Sequence, residues 1–338
     1  MRSFICAAAV FAVLLVTIPA IPFAAESIKG GEKSLSLKEN TDNSSSAPDE
    51  KDDEQKNDTL KILDINTGEV FEMSAYDYAV GAVCAQMPAA FEPEALKAQA
   101  VTAFTYAFRQ REKAETSPDK TLCGAYFSND TKKYQAFFTE SQQKHYYGEN
   151  YDEYIEKIKK AVLEVNGKYM TYDGEPIIAA FHALSTGKTE SAENIWGSRI
   201  PYLVSVESEY DETSPNYIKE YTFTQSDMKD ALEKAFEGIE LADEPEKWFE
   251  EPEKSEADTV LSQKAGDKEL TGQQLRSALS LCSAAFDIKY EDDGFTVTAK
   301  GSGHGVGMSQ FGANELAKTG KTYDEILKHY YKGVEIED

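Results

Sequence analysis

Residues 301–331 read GSGHGVGMSQFGANELAKTGKTYDEILKHYY. Gly301, Gly303, Gly305 and Gly307 alternate around a single histidine, His304. Glycine so often repeated suits a backbone with positive φ or one that a ligand approaches closely. Two helical patterns follow. Residues 309–318 are short and amphipathic. Thr322, with Glu325 three residues on, forms a capping box that opens a helix to Tyr331. Taken alone, this is a glycine-rich turn feeding a C-terminal helix, and His304 could be structural.

Composition narrows the function. The chain has 338 residues, enough for one large domain or two small ones. With 35 Lys and Arg against 60 Asp and Glu, its net charge is −25. Binding to nucleic acid or to an anionic surface calls for a basic patch, so neither is an expected partner. The four cysteines, Cys6, Cys84, Cys123 and Cys282, contain no CxxC pair and suggest neither a disulfide framework nor a four-cysteine zinc site. Nineteen Tyr and 17 Phe supply core and rings suited to stacking on sugars.

Working back to the start, residues 3–25 are almost wholly apolar after Arg2. They suit a cleaved secretory signal and equally a membrane-spanning anchor. Either reading exports the bulk of the chain. Residues 26–59 are polar and charged, too poor in apolar side chains to fold, and are expected to be a disordered acidic tether. A domain over 60–338 follows. KILDINTGEVFEMS predicts a hairpin, and Ser74 caps a helix that Met87-Pro88 ends. Pro93 starts the next helix, whose stripe includes Leu96, Ala100, Ala103, Phe104 and Phe108. Further expectations are a helix over 151–165, strands over 168–172 and 177–182, a loop over 183–196 and a strand over 202–206. A helix over 223–236, a helix capped by Thr271 and a strand pair over 286–299 follow. The acidic stretch 242–268, with Trp248, reads as an exposed insertion. The fold class is mixed α/β (α+β).

Four stretches, in order, resemble the SpoIID/LytB family (stage II sporulation protein D and amidase enhancer LytB). They are AQMPAAFEPEALKAQAVTAFTYAF (85–108), FHALSTGKTESAENIWG (181–197) followed by PYLVSVESEYD, LRSALSL (275–281), and GHGVGMSQFGA with its helix. The resemblance implies an exported wall protein of a spore-forming bacterium, with short strands and amphipathic helices around a substrate cleft. Peptidoglycan glycan strands would be its substrate. Other cell-wall hydrolases or sporulation membrane proteins would be possible partners, with the N-terminal segment at the membrane. Active members resemble lytic transglycosylases, in which one carboxylic acid protonates the glycosidic oxygen and then helps the sugar close a 1,6-anhydro ring.

In the family pattern that acid is the Glu of EMPA. Here QMPA puts Gln86 there, and an amide is neither acid nor base. The family's AARTYA becomes TAFTYA, so Phe104 stands where a cation is usual. Catalysis is therefore expected to be weakened or lost, unless Glu190 supplies another carboxylate. Substrate-binding candidates are His182, Ser185, Trp196, Ser302, His304, Ser309 and Gln310. Where relatives bind zinc through a string like CQAY, KYQAF has Tyr134, and Cys123 is left as a small buried hydrophobe. Neither metal nor cofactor is expected.

Overall fold

The computed structural model describes residues 59–338. The signal-or-anchor segment and the tether before Thr59 lie outside the described residues. None of the described helices is long and apolar enough to cross a membrane. The fold is mixed α/β, with several small sheets and two hydrophobic clusters.

The chain opens with the expected hairpin, β1 (Thr59–Leu63) against β2 (Val70–Ser74). Ser74 caps α1 (Ala75–Gln86) by accepting from the Asp77 amide. Helix α2 (Pro93–Thr116) starts on its proline and is buried on most of its circumference by Ala, Val, Phe and Thr side chains. It packs against α1 and against three later helices, Tyr151–Glu164, Gln310–Lys318 and Tyr323–Tyr330. Its alanines leave room for those neighbours, which is why a long helix sits at the centre of the first cluster. Strand β3 (Phe127–Ser128) joins β1 in parallel. Helices α3 (Glu140–Tyr147) and α4 (Tyr151–Glu164) follow. Strands β4 (Tyr169–Tyr172) and β5 (Glu175–Pro176) turn at Asp173 and Gly174, both at positive φ. The second strand expected over 177–182 does not form in this hairpin: β5 ends at Pro176, and a separate two-residue strand, β6 (Phe181–His182), pairs elsewhere. Helix α5 (Ala192–Trp196) occupies part of the expected loop. Residues 202–206 are not a strand. They run beside 189–192 through single hydrogen bonds such as Thr189 N to Val206 O and Ala192 N to Leu203 O.

Residues 218–300 form a second, smaller lobe. It holds β7 (Ile218–Thr224), α6 (Gln225–Ala235), β8 (Glu253–Lys254), β9 (Val260–Ala265), β10 (Lys268–Leu270), α7 (Gly272–Ala278), β11 (Phe286–Glu291) and β12 (Gly294–Lys300). The 242–268 stretch is not an exposed loop. Trp248 stacks on Phe295 at 5.2 Å, and Val260 and Ala265 are buried in the second cluster. Most of its carboxylates are exposed while Val260, Gln263 and Ala265 of β9 are buried, so acidity alone concealed a strand.

The chain then returns to the large lobe through the glycine stretch, β13 (Met308–Ser309), α8 (Gln310–Lys318), α9 (Tyr323–Tyr330) and β14 (Glu335–Glu337). The capping box at Thr322 forms as expected. Cys84 is buried, but Cys123 is exposed at φ 54° in a turn, because the segment around it runs over the surface rather than through the core.

Candidate functional site

The glycine stretch lies along residues 180–190. Strand β13 pairs in parallel with β6, Met308 opposite Phe181 and Ser309 opposite His182. Single bridges join Leu184 to Ser302 and Glu190 to Val306. All four glycines have positive φ, between 68° and 108°. A methyl group on Gly303 would lie 2.7 Å from His182 Cβ, and one on Gly307 2.0 Å from the Ala180 carbonyl oxygen. The alternation thus has two causes at once, left-handed backbone and the approach of another chain segment.

This pairing brings His182 and His304 together, with ring centroids 5.9 Å apart. His182 is 3% exposed. Its Nδ1 donates to the Val306 carbonyl at 3.2 Å, and its Nε2 has no partner among the described residues. His304 Nδ1 accepts from the Val306 amide at 3.0 Å. Burial, helped by the His304 ring, pushes His182 down to about 3. Burial and the Arg276 guanidinium push His304 down to about 4. Both imidazoles are therefore neutral near neutral pH and act as rings and hydrogen-bonding groups, not as cations. Trp196, at the end of α5, sets its ring 5.8 Å from His304 and remains 43% exposed. Trp196 and His304 form the part of the expected set that can meet a ligand from solvent.

The other candidates serve the interior. Ser185 donates its backbone amide to Asp211 Oδ2 at 2.8 Å, and Ser309 Oγ donates to Asp211 Oδ1 at 3.0 Å. Ser302 exchanges backbone hydrogen bonds with Leu184. Gln310 Nε2 donates to the Gln86 carbonyl at 2.7 Å and to Gln99 Oε1 at 3.1 Å, tying together α1, α2 and α8. The end of α1 thus meets the first residue of α8, just past the glycine stretch. Its own amide donates to the Ala136 carbonyl at 3.1 Å. Glu190 is buried and hydrogen-bonded through both oxygens. Phe104 is wholly buried on α2, 6.1 Å from Phe108, so it belongs to the core and not to a site.

Asp211 is the group the sequence reading missed. It lies in a 3-10 turn, Glu209–Thr213, with no exposed surface, and burial raises its carboxyl above the usual range. Ser208 and Tyr330 share a 2.8 Å hydrogen bond beside it. A methyl group on Gly312 would meet the Tyr330 hydroxyl at 2.2 Å. The one available signal was its place at the end of PYLVSVESEYD, directly after the second motif.

Between the lobes lies a cavity of about 20 Å³ with a mixed lining that includes Leu184, Ser185, Glu190, Ala257, Ala284 and His304. That is room for about one water and not for a sugar. The protein is thus a two-lobed α+β molecule in which the Trp196 ring, at the end of α5, meets the His304 ring of the glycine turn beside the strand pair β6–β13. A family model for SpoIID, stage II sporulation protein, matches residues 64–172. The chain is 40% identical over 264 residues to stage II sporulation protein D of Bacillus subtilis, covering 78% of this chain and 74% of that protein. It is 38% identical to stage II sporulation protein D of Bacillus amyloliquefaciens, with 78% and 74% covered. To the amidase enhancer of Bacillus subtilis it is 26% identical, over 75% of this chain and 39% of that protein. The chain belongs to the stage II sporulation protein D family.

Proposed function

We propose that this protein is exported, anchored or secreted at the cell wall of a spore-forming bacterium, and that it binds peptidoglycan glycan strands with lytic transglycosylase activity weakened or lost. The observation that carries this is Gln86. It stands at the end of α1 where the family pattern has its acid, and it gives its amide to Ala136 O. A glutamic acid there could make the same hydrogen bond only in its protonated form, which is the form a general acid needs. Gln86 keeps the hydrogen bond but has no proton to transfer. Exposed Trp196 beside the neutral His304 ring supplies an apolar face for a sugar.

The test is release of 1,6-anhydromuramic products from glycan strands stripped of stem peptides. Wild type should sediment with the strands and release only traces. Gln86→Glu should raise release, within the ~10²–10⁴-fold that a positioned acid contributes. Robust release by wild type, unaffected by Gln86→Ala, would sink the reading and turn attention to another carboxylate. A second reading, a non-catalytic partner of a wall amidase, draws on the resemblance to the amidase enhancer. Stimulation of a purified amidase by wild type, with no binding to glycan, would favour it.

A further inference from the structure

We propose that Glu190 is a positioning residue, one that sets exposed Trp196 against His304 by tying α5, the glycine turn and the small lobe into one unit. Glu190 is 2% exposed. Its Oε1 accepts from the Ser191 amide and from Asn194 Nδ2, each at 2.8 Å. Its Oε2 accepts from Ser255 Oγ of the small lobe at 2.5 Å. Its backbone amide donates to the Gly305 carbonyl at 2.7 Å. One residue thus holds three elements that come from distant parts of the chain.

The geometry explains why such a tie is needed. Helix α5 has five residues, far too few to persist on its own. Its remaining cap, Asn194 N to Ser191 Oγ, is long at 3.3 Å. A tryptophan that is 43% exposed is not fixed by core packing, so the direction of its ring is inherited from the helix that carries it. On the other side, Ser255 belongs to a strap, residues 255–259, between β8 and β9. The strap is also fastened to the large lobe by Thr186 Oγ1 to the Ala257 carbonyl at 2.8 Å and by Lys188 to Glu256 at 2.9 Å. Glu190 and His304 both line the one-water cavity between the lobes. A ligand stacked on Trp196 meets the ring, while the carboxylate holds the base of α5 with both oxygens already engaged. Glu190 is on this view no proton donor.

The ligand class, a sugar ring stacked on Trp196, rests on the glycan reading above, so the test separates the two. The chain has two tryptophans, and a Trp248→Phe background leaves Trp196 as the only tryptophan, to be excited selectively over the 19 tyrosines. Acrylamide quenching of Trp196 is measured without ligand, and sedimentation with stripped glycan strands is measured in parallel. Glu190→Ala should raise quenching and weaken glycan binding about tenfold, the size of one lost aromatic contact. Glu190→Gln keeps an oxygen for Ser191 and Asn194 and should restore both readings to near wild type. Asn194→Ala cuts the same tie from the exposed side of α5 and should raise quenching as Glu190→Ala does. Unchanged quenching in Asn194→Ala overturns the proposal, even if Glu190→Ala does not fold. Glycan cleavage lost equally in Glu190→Gln and Glu190→Ala, with Trp196 undisturbed in both, overturns it in favour of an acid. A Trp196 response with no glycan binding by any variant upholds the positioning role and removes the glycan reading.

Discussion

Replacing Gly307 by alanine should cost about 3–4 kcal/mol of folding free energy, and the figure can be built in parts. Gly307 sits at φ 76°, where an L-residue pays ~1–2 kcal/mol. The added methyl would lie 2.0 Å from the Ala180 carbonyl oxygen, next to Tyr331 Cε1 at 3.3 Å. A carbon and an oxygen rest at roughly 3.3 Å or more, so the two strands must part by over ~1 Å. That carbonyl accepts from the Met308 amide at 3.1 Å and the Tyr331 hydroxyl at 2.6 Å. Both bonds are stretched, each worth about 1 kcal/mol. Gly320 provides the control, since it has φ 92° with nothing within 4 Å of an added methyl. Gly320→Ala should lose only the backbone part, about 1–2 kcal/mol. The assay is equilibrium urea unfolding of both variants, comparing midpoints at unchanged slope. Equal losses would refute the reasoning, because the approach of 180–182 to the glycine turn would then contribute nothing.

Two other outcomes follow from burial. Acid should weaken the fold, because His182 and His304 stay unprotonated in it, at about 3 and about 4, and take up protons when unfolded. The unfolded chain binds more protons below its histidine value of ~6.5, so stability falls as pH drops from there toward the folded values. At about pH 5 each histidine withdraws up to ~2 kcal/mol. Asp211, raised by burial, works in the opposite sense. The check is therefore the difference between wild type and His304→Gln in urea unfolding at about pH 7.5 and about pH 5. Parallel losses in the two proteins would contradict it. Phe104→Arg should abolish folded protein instead of restoring a catalytic cation, since it sets an unpaired charge in a position with no exposed surface. A variant that melted within a few degrees of wild type by circular dichroism would show that α2 tolerates the cation.

Local signals were legible in the sequence because their physics acts within one turn of chain. Ser74, Thr271 and Thr322 cap the helices they were expected to cap. Pro93 starts α2, and the strand pair over 286–299 forms about Asp292 and Asp293 at positive φ. The four motifs were enough to identify the family, and the alternating glycines announced an unusual backbone. What lay against that backbone was not legible. Gln86 and Gln310 are 224 residues apart, yet their hydrogen bond joins the end of α1 to the start of α8. Ser255 reaches Glu190 across 65 residues. Burial is a property of such distant neighbours. It turned Ser185, Ser309 and Gln310 inward, made Phe104 core, drew β9 out of an acidic stretch and left Cys123 exposed. A polar side chain in a motif looks the same in sequence whether it faces a ligand or a buried Asp211, because only the assembled fold decides which donors and acceptors surround it.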